Sequence, residues 1–361
     1  MGRWLAKSWF LVALLVLLPG GMTWGWSTSE SWRLATAGRV QPALTTVAIL
    51  FLMSFSLDSG KLRESFRAPR PVVWGTVVNI VLLPLMAWPL ARTHSLADLS
   101  LGLMIAAAVP CTLATASVST RQAGGNDAVS LLITLLTNLV GVILTPLWLR
   151  WAISAGGEIE AAQIDTVPII RNLALTVLLP TLLGQLARFV PQLFRFAVSH
   201  KFGIGIVAQC LVLLIVTKTA IEAGGRLQAQ AVWPTAIDFA RLAIECAGLH
   251  ALAMLIAHRG SRWLGLSRED TIATLFAGSQ KTLPVGLLLA AMPAVTGGRS
   301  LPFITFPILL FHAVQLVMDT AIADRIARKP RPSQRVGIGA ITSLPDQPQG
   351  ASPGLDDTNR G

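Results

Sequence analysis

Two apolar segments of the sequence carry hydroxyl, thiol, amide and amine side chains beside helix-breaking residues. The first contains Pro110-Cys111-Thr112, and the second contains Gly278-Ser279-Gln280-Lys281-Thr282 followed by Pro284. Such breaks expose main-chain carbonyl and amide groups, which are tolerated inside a membrane only where protein or a polar cavity satisfies them. A lysine inside a membrane span is costly, so it usually faces a cavity and has a function. The two segments therefore predict one site for a solute or an ion.

The composition sets the kind of protein that positions this chemistry. Of the 361 residues, 53% are apolar and 13% are charged, with a mean hydropathy of +0.62. Because a soluble domain carries about 25% charged residues, the chain is predicted to be an all-α polytopic membrane protein. The net charge of +11 comes from short basic clusters between apolar runs, which indicate topology and no nucleic-acid partner. The expected partners are the lipid bilayer and a small-molecule solute.

Runs of about 18 or more apolar residues predict ten membrane-spanning helices within one membrane domain over residues 1–325. Residues 1–26 have an alternative interpretation as a cleaved signal peptide, because Arg3 and Lys7 precede the apolar run. The polar, proline-containing residues 326–361 predict a disordered cytoplasmic tail. The predicted spans are 8–26, 40–57, 71–91, 99–119, 127–149, 167–187, 202–223, 236–257, 270–292 and 302–323.

The distribution of basic residues predicts the orientation of these spans. Of the 29 lysines and arginines, 19 lie on the side of the two termini and 8 on the opposite side. This bias places both termini in the cytoplasm of a multi-pass protein of the plasma (inner) membrane. Ten spans divide into two halves of five with opposite orientation, and the broken fourth and ninth spans are equivalent in the two halves.

Several motifs resemble the bile acid:sodium symporter family, and most closely its subgroup similar to the seventh human sodium/bile acid cotransporter member. This resemblance implies a secondary transporter that moves a small organic anion or similar solute by alternating access. It also implies a core domain of spans 3–5 and 8–10, a panel domain of the other four spans, and a binding site where the broken spans cross. The motifs are Phe51-Leu52-Met53-Ser54-Phe55-Ser56-Leu57, Asn79 with Pro84, Pro110-Cys111-Thr112, Ala123-Gly124-Gly125-Asn126-Asp127-Ala128 and Ala277-Gly278-Ser279-Gln280-Lys281-Thr282-Leu283-Pro284.

The resemblance also supplies candidate solute- and ion-binding residues. In sodium-coupled members, the residues matching Thr115, Ser130, Thr134 and Gln280 lie near two Na⁺ ions. The complete candidate set is Asn79, Cys111, Thr112, Thr115, Ser117, Ser130, Thr134, Asn138, Ser279, Gln280, Lys281 and Thr282.

This sequence departs from the sodium-coupled pattern at the positions that carry charge. Phe276 stands where those members have a glutamate, Lys281 where they have an asparagine, and Ala116 where another asparagine is expected. A site without a carboxylate but with an ammonium does not favour two sodium ions. The ammonium of Lys281 would then replace a cation or carry a proton, which leaves Na⁺ or H⁺ as coupling ions and predicts no other cofactor.

Two other functions remain open from the sequence. Arsenite efflux carriers of the same superfamily also place Pro-Cys-Thr on their fourth span, so Cys111 could bind a metalloid. A membrane scaffold or regulator acting through the basic tail is the second alternative. No enzyme is expected, because the HExxH, Walker A and GxSxG motifs are absent from the sequence. Of the remaining polar residues, Lys218 is expected to extend towards the membrane surface, His250 to support helix packing, and Asp319 to lie at the interface.

The charge bias generates a test of topology. A reporter fused at residue 361 should be cytoplasmic, and one inserted after Arg299 should lie on the opposite side of the membrane. Paired phosphatase and fluorescent-protein fusions measure both positions. Both reporters on one side would contradict the ten-span arrangement.

Overall fold

A computed structural model describes residues 2–57, 69–113, 115–156, 165–227, 233–298 and 303–328, and these residues form helices without any β-strand. The helices are α1 (Gly2–Ser27), α2 (Glu30–Thr36), α3 (Pro42–Phe55), α4 (Pro69–Ala91), α5 (Ala97–Ala108), α6 (Thr115–Gln122), α7 (Asp127–Gly156), α8 (Thr166–Ala187), α9 (Pro191–Ser199), α10 (Lys201–Leu227), α11 (Ala236–Trp263), α12 (Arg268–Ser279), α13 (Leu283–Ala290), α14 (Pro293–Thr296) and α15 (Thr305–Ala327).

The helices occupy the ten predicted spans and confirm a polytopic all-α membrane protein. Within the described ranges, eight helical segments are long and apolar enough to cross a membrane, and one of them is the α12–α13 pair. The second and fourth spans correspond to the shorter apolar helices α3 and α5. The last helix continues to Ala327, so the predicted tail boundary at residue 326 lies inside it, and residues 329–361 lie outside the described residues.

We describe the helices in two groups, a panel group and a core group, named after the domains that the resemblance implies. In the panel group, α1 runs along α10, and α3 packs against α8 and α10. In the core group, α12 packs against α4, α6, α7 and α11, while α15 packs against α5 and α11. Helix α13 contacts α3 and α10 of the panel as well as α5 and α15 of the core. The second half of the broken ninth span therefore lies at the boundary between the groups.

Glycines allow α1 and α10 to approach at main-chain distance. A Cβ added to Gly25 would collide with the main chain of Ile221, and one added to Gly224 would collide with that of Met22. Together with Gly21, Gly25 forms a GxxxG pattern, which brings helices together in lipid because van der Waals packing drives their association. This packing joins α1 to α10 over much of its length.

A π-helical turn in α4 frees one carbonyl group for use outside the helix. The turn covers Val78–Leu82, and the Leu83 N–H donates to the Val78 carbonyl five residues earlier. The next residue, Pro84, has no N–H. The Asn79 carbonyl therefore lacks its usual helical donor and is available to another partner.

The glycine contact predicts an effect on stability. Gly25→Val should destabilise the protein by about 3 kcal/mol, because the added atoms meet main chain that cannot move aside. Gly20→Val is the matched control on the same helix, since a Cβ added to Gly20 would meet no atom within 4 Å. Thermal melts of both purified variants measure the difference. Equal melting temperatures would contradict close packing of α1 on α10.

Candidate functional site

The two interrupted spans touch at their breaks. The chain leaves helical geometry after Ala108 at the end of α5 and again at residues 280–282 between α12 and α13. The Thr282 N–H donates to the Pro110 carbonyl over 3.0 Å, which joins one break directly to the other. Pro110 and residues 280–282 are buried, so the contact is sealed from solvent in this conformation. We call this contact the crossing.

Side chains of α7 satisfy main-chain groups that the first break leaves open. The Cys111 N–H donates to the Thr137 hydroxyl over 3.3 Å, and the Cys111 carbonyl accepts from Asn138 Nδ2 over 2.9 Å. The Thr145 hydroxyl donates to the Ala108 carbonyl over 2.7 Å. The break therefore avoids the cost of bare peptide groups in a low-dielectric interior.

Side chains of α4 and α15 do the same for the second break. The Asn79 amide nitrogen donates to the carbonyls of Gln280, over 2.8 Å, and Ala277, over 3.1 Å. The Gln315 amide accepts from the Lys281 N–H and donates to the Lys281 carbonyl, both over 2.9 Å. His312 in turn contacts Gln315 through Nδ1 at 2.8 Å. Each broken span is thus held by long helices of the core group.

Lys281 projects its ammonium into the centre of the crossing. Nζ donates to the main-chain carbonyl of Asn79 over 2.7 Å, to the Asn79 side-chain oxygen over 3.2 Å and to the Val109 carbonyl over 2.8 Å. The first of these acceptors is the carbonyl that the π turn and Pro84 leave without a helical donor. Three N–H donors thus meet three oxygens, and Lys281 is only 2% exposed. A cavity of about 10 Å³ beside it has room for about one water molecule.

A second polar chain joins both broken spans to the last helix. The Gln280 amide nitrogen donates to Asp319 Oδ2 over 2.6 Å, and the Thr115 hydroxyl donates to Gln280 Oε1 over 2.8 Å. The other oxygen of Asp319 lies 2.9 Å from His250 Nε2. His250 also contacts the Ser279 carbonyl at 3.3 Å, and the Ser279 hydroxyl donates to the Leu275 carbonyl. The predicted helix-supporting role of His250 therefore extends to the crossing itself.

The structure corrects two expectations about charge. Asp319 is buried, at 2% exposure, and is not an interface residue. It brings a carboxylate to the crossing, although the sequence pattern of the ninth span predicts a site without one. An ionisable residue inside a membrane span is usually functional. Because Asp319 lies within the predicted span 302–323, this signal could have identified it from the sequence. The expectation is wrong because the last helix continues to Ala327, so Asp319 lies two turns inside it and not near its edge.

The remaining candidates fall into two places. Thr134 lies at the first break, where its hydroxyl contacts the Cys111 sulfur at 3.4 Å and donates to the Ser130 carbonyl over 2.9 Å. Thr112 also lies there, and its carbonyl is 3.7 Å from the same sulfur. The Ser130 hydroxyl and the Asn138 side-chain oxygen are buried without a hydrogen-bond partner in the described part of the chain. Ser117 is the exception, since it pairs with Asp127 and Arg121 where α6 turns into α7.

Broken spans that cross within a bundle of membrane helices are typical of many secondary transporters. The chain belongs to the SBF-like CPA transporter family, whose sequence model matches residues 8–328. Its family and relatives make it a secondary transporter of the bile acid:sodium symporter superfamily.

Three relatives show how far this similarity extends. The uncharacterized protein PA2026 of Pseudomonas aeruginosa is 30% identical over 256 residues, covering 70% of this chain and 73% of that protein. Sodium/bile acid cotransporter 7-A of Xenopus laevis is 21% identical over 333 residues, covering 89% and 92%. The probable sodium/metabolite cotransporter BASS4, chloroplastic, of Oryza sativa subsp. indica is 26% identical over 292 residues, covering 78% and 67%. The similarity therefore spans most of the chain.

The contacts of Lys281 predict a large effect of its replacement. Lys281→Met should lower the free energy of unfolding by about 3 kcal/mol, because it leaves the buried carbonyls of Asn79 and Val109 without their charged donor. Lys201→Met is the control, since Lys201 is exposed at the start of α10. Thermal melts and size-exclusion profiles in detergent measure both variants. Equal stability of the two variants would contradict the role of the ammonium in joining the breaks.

Proposed function

We propose that the protein moves a small organic anion or similar solute across the plasma (inner) membrane by alternating access, without binding two sodium ions. In this proposal both termini are cytoplasmic. The observation that supports it best is the ammonium of Lys281 at the crossing, held by oxygens of Asn79 and Val109. Carbonyl and amide oxygens converge there as they would around a cation, and the lysine supplies the charge.

Three of the four residues expected around sodium have other side-chain partners in this chain, whereas the Ser130 hydroxyl has none among the described residues. The Thr115 hydroxyl and the Gln280 amide oxygen bind each other, and Gln280 also binds Asp319. The hydroxyl of Thr134 lies against the sulfur of Cys111, and sulfur is a poor ligand for a hard ion such as Na⁺. Two further cations beside the ammonium of Lys281 would concentrate positive charge in a low-dielectric interior. The residues present do not fit the sodium pair.

The arrangement of helices provides a route for alternating access. The panel group packs without broken spans, while the core group carries both breaks and the polar crossing. Movement of one group against the other would open the sealed crossing to either side in turn, as in other transporters with inverted repeats. The names of the relatives, which mention bile acid and metabolites, support an organic anion as solute.

The two alternatives receive less support. Cys111 is completely buried, and the described residues contain no group of three His, Cys, Asp or Glu side chains that could hold a metal ion. A scaffold has no need of a polar crossing, which is costly to bury in lipid.

Alternating access predicts that the sealed crossing becomes reachable. Cysteine introduced at Thr115 or Gln280 should react with a small polar thiol reagent, because the crossing opens during the cycle. The control is Leu136→Cys, which lies in an apolar cluster and should react less. All variants carry Cys210→Ser, because Cys210 is the exposed native thiol among the three cysteines. Rates measured in sodium and in potassium buffer should agree.

Two results would contradict the proposal in different ways. Equal inertness of both site thiols would mean that the breaks are packed kinks and that any transport uses another route. A rate at Thr115→Cys that falls only in sodium buffer would mean that sodium binds at the crossing. The first result would contradict alternating access at this site. The second would contradict only the claim that transport is independent of sodium.

A further inference from the structure

The short helix α9 carries more apolar surface than the protein covers. Of its nine residues only Ala197 is buried, in an apolar cluster with Phe55 and Ile204. Its other apolar side chains are exposed, among them Phe196 at 51% and Val198 at 55%. The apolar face of α9 is therefore wider than its contact with the rest of the protein.

The position of α9 in the chain keeps this face at the bilayer surface. Three residues separate the helix from the end of the span α8, and His200 alone separates it from the span α10. Three residues extend by at most about 10 Å, so α9 cannot move far from the ends of the two spans. Phe189 and Phe202, which flank the helix, are also exposed, at 82% and 81%. An exposed apolar patch at this place is typical of contact with a membrane.

The two sides of α9 differ in chemistry. Successive residues of a helix are rotated by about 100°, which places the apolar side chains on one side and Gln192, Arg195 and Ser199 on the opposite side. The chain around the helix is basic, because residues 188–201 contain two arginines and a lysine, and residues 166–221 contain no aspartate or glutamate. Such a positive segment attracts anionic lipid headgroups. The helix thus combines an apolar face with a basic surrounding, as interfacial helices do.

Arg188 connects α9 to the panel group. Its Nη1 donates to the Phe55 carbonyl at the end of α3 over 2.8 Å. The centre of the same guanidinium lies 4.9 Å from the centre of the Phe194 ring on α9, which is a cation–π contact. The position of α9 relative to the lipid is therefore coupled to the end of α3.

We propose that α9 lies in the plane of the membrane interface and binds anionic phospholipids. Phe196 and Val198 enter the upper acyl region, while Arg195 on the polar side contacts headgroup phosphates. Through Arg188 and Ala197 the helix holds one end of the panel group at the membrane surface. The lipid contact does not depend on the proposed transport function, and only its assignment to the cytoplasmic leaflet rests on the proposed orientation.

Fluorescence quenching in nanodiscs tests the depth of α9. The full-length protein carries a bimane label at Phe196→Cys or, as the matched position on the polar side, at Gln192→Cys, each in the Cys210→Ser background. Aqueous iodide should quench the label at position 196 about threefold less than the label at 192, because the apolar face lies in lipid. Phospholipids brominated near the top of the acyl chain should show the opposite order. Leu214→Cys, exposed in the middle of α10, calibrates deep quenching.

The same label tests the selection of headgroups. In nanodiscs of equal parts phosphatidylcholine and phosphatidylglycerol, only one of the two lipids is brominated at a time. Brominated phosphatidylglycerol should quench the label at position 196 about threefold more than brominated phosphatidylcholine, because the basic segment enriches anionic lipid nearby. Arg195→Gln should lower this ratio and Arg195→Lys should keep it. Arg171→Gln is the control for a general change of charge, since Arg171 is exposed on α8.

The contrary outcomes are distinct. Equal quenching of positions 196 and 192 by iodide, without quenching by brominated lipid, would place the apolar face in water and overturn the proposal in favour of a soluble protein partner. Val198→Cys repeats this measurement if the label at position 196 disturbs folding, as judged by size-exclusion profiles. Equal quenching by the two brominated lipids, or a ratio that Arg195→Gln leaves unchanged, would overturn the binding of anionic headgroups.

Discussion

The fold depends on one ammonium group held by carbonyls from two different spans. Lys281 belongs to the ninth span, while its acceptors belong to Asn79 of the third and Val109 of the fourth. Two interrupted helices would otherwise leave peptide dipoles pointing at each other in a medium that screens them poorly. A positive charge among carbonyl oxygens turns that repulsion into attraction. The buried carboxylate of Asp319 lies at the same crossing, where it accepts a hydrogen bond from Gln280 and pairs with His250.

This arrangement explains why the polar residues of the core come from so many helices. Each break lacks the regular helical hydrogen bonds, and neighbouring long helices provide the replacements. Amides of Asn138 and Gln315 and the hydroxyl of Thr145 each bind main-chain groups at a break, and none of them needs a solute to be satisfied. The closed crossing is therefore a stable packing state. Opening it must exchange these bonds for contacts with water or solute.

The fold is predictable from the sequence, because apolar length and basic clusters depend on local composition alone. The crossing is predictable too, since Pro110 and the Gln280-Lys281-Thr282 segment break their helices by themselves. The polar chain through Asp319 is not predictable, because Asp319 meets Gln280 and His250 only after distant helices pack. The contact of α1 with α10 depends on Gly25 facing the main chain of Ile221, which hydropathy does not reveal. The burial of Lys218 beside Glu222 is likewise a feature of packing, since only 9% of Lys218 is exposed.

The π turn of α4 has a consequence for the surfaces that this helix presents. A π turn contains about one residue more than a regular α-helical turn. The residues after it are therefore rotated about the helix axis by about 100°. The half before the turn packs against α7 and α12, and the half after it packs against α5. One continuous span thus shows two faces that are rotated relative to each other, with Asn79 at the junction. The side chains of each half therefore face their own set of neighbours. Substitutions can adapt one half to its neighbours without changing the packing of the other half or the direction of the Asn79 carbonyl.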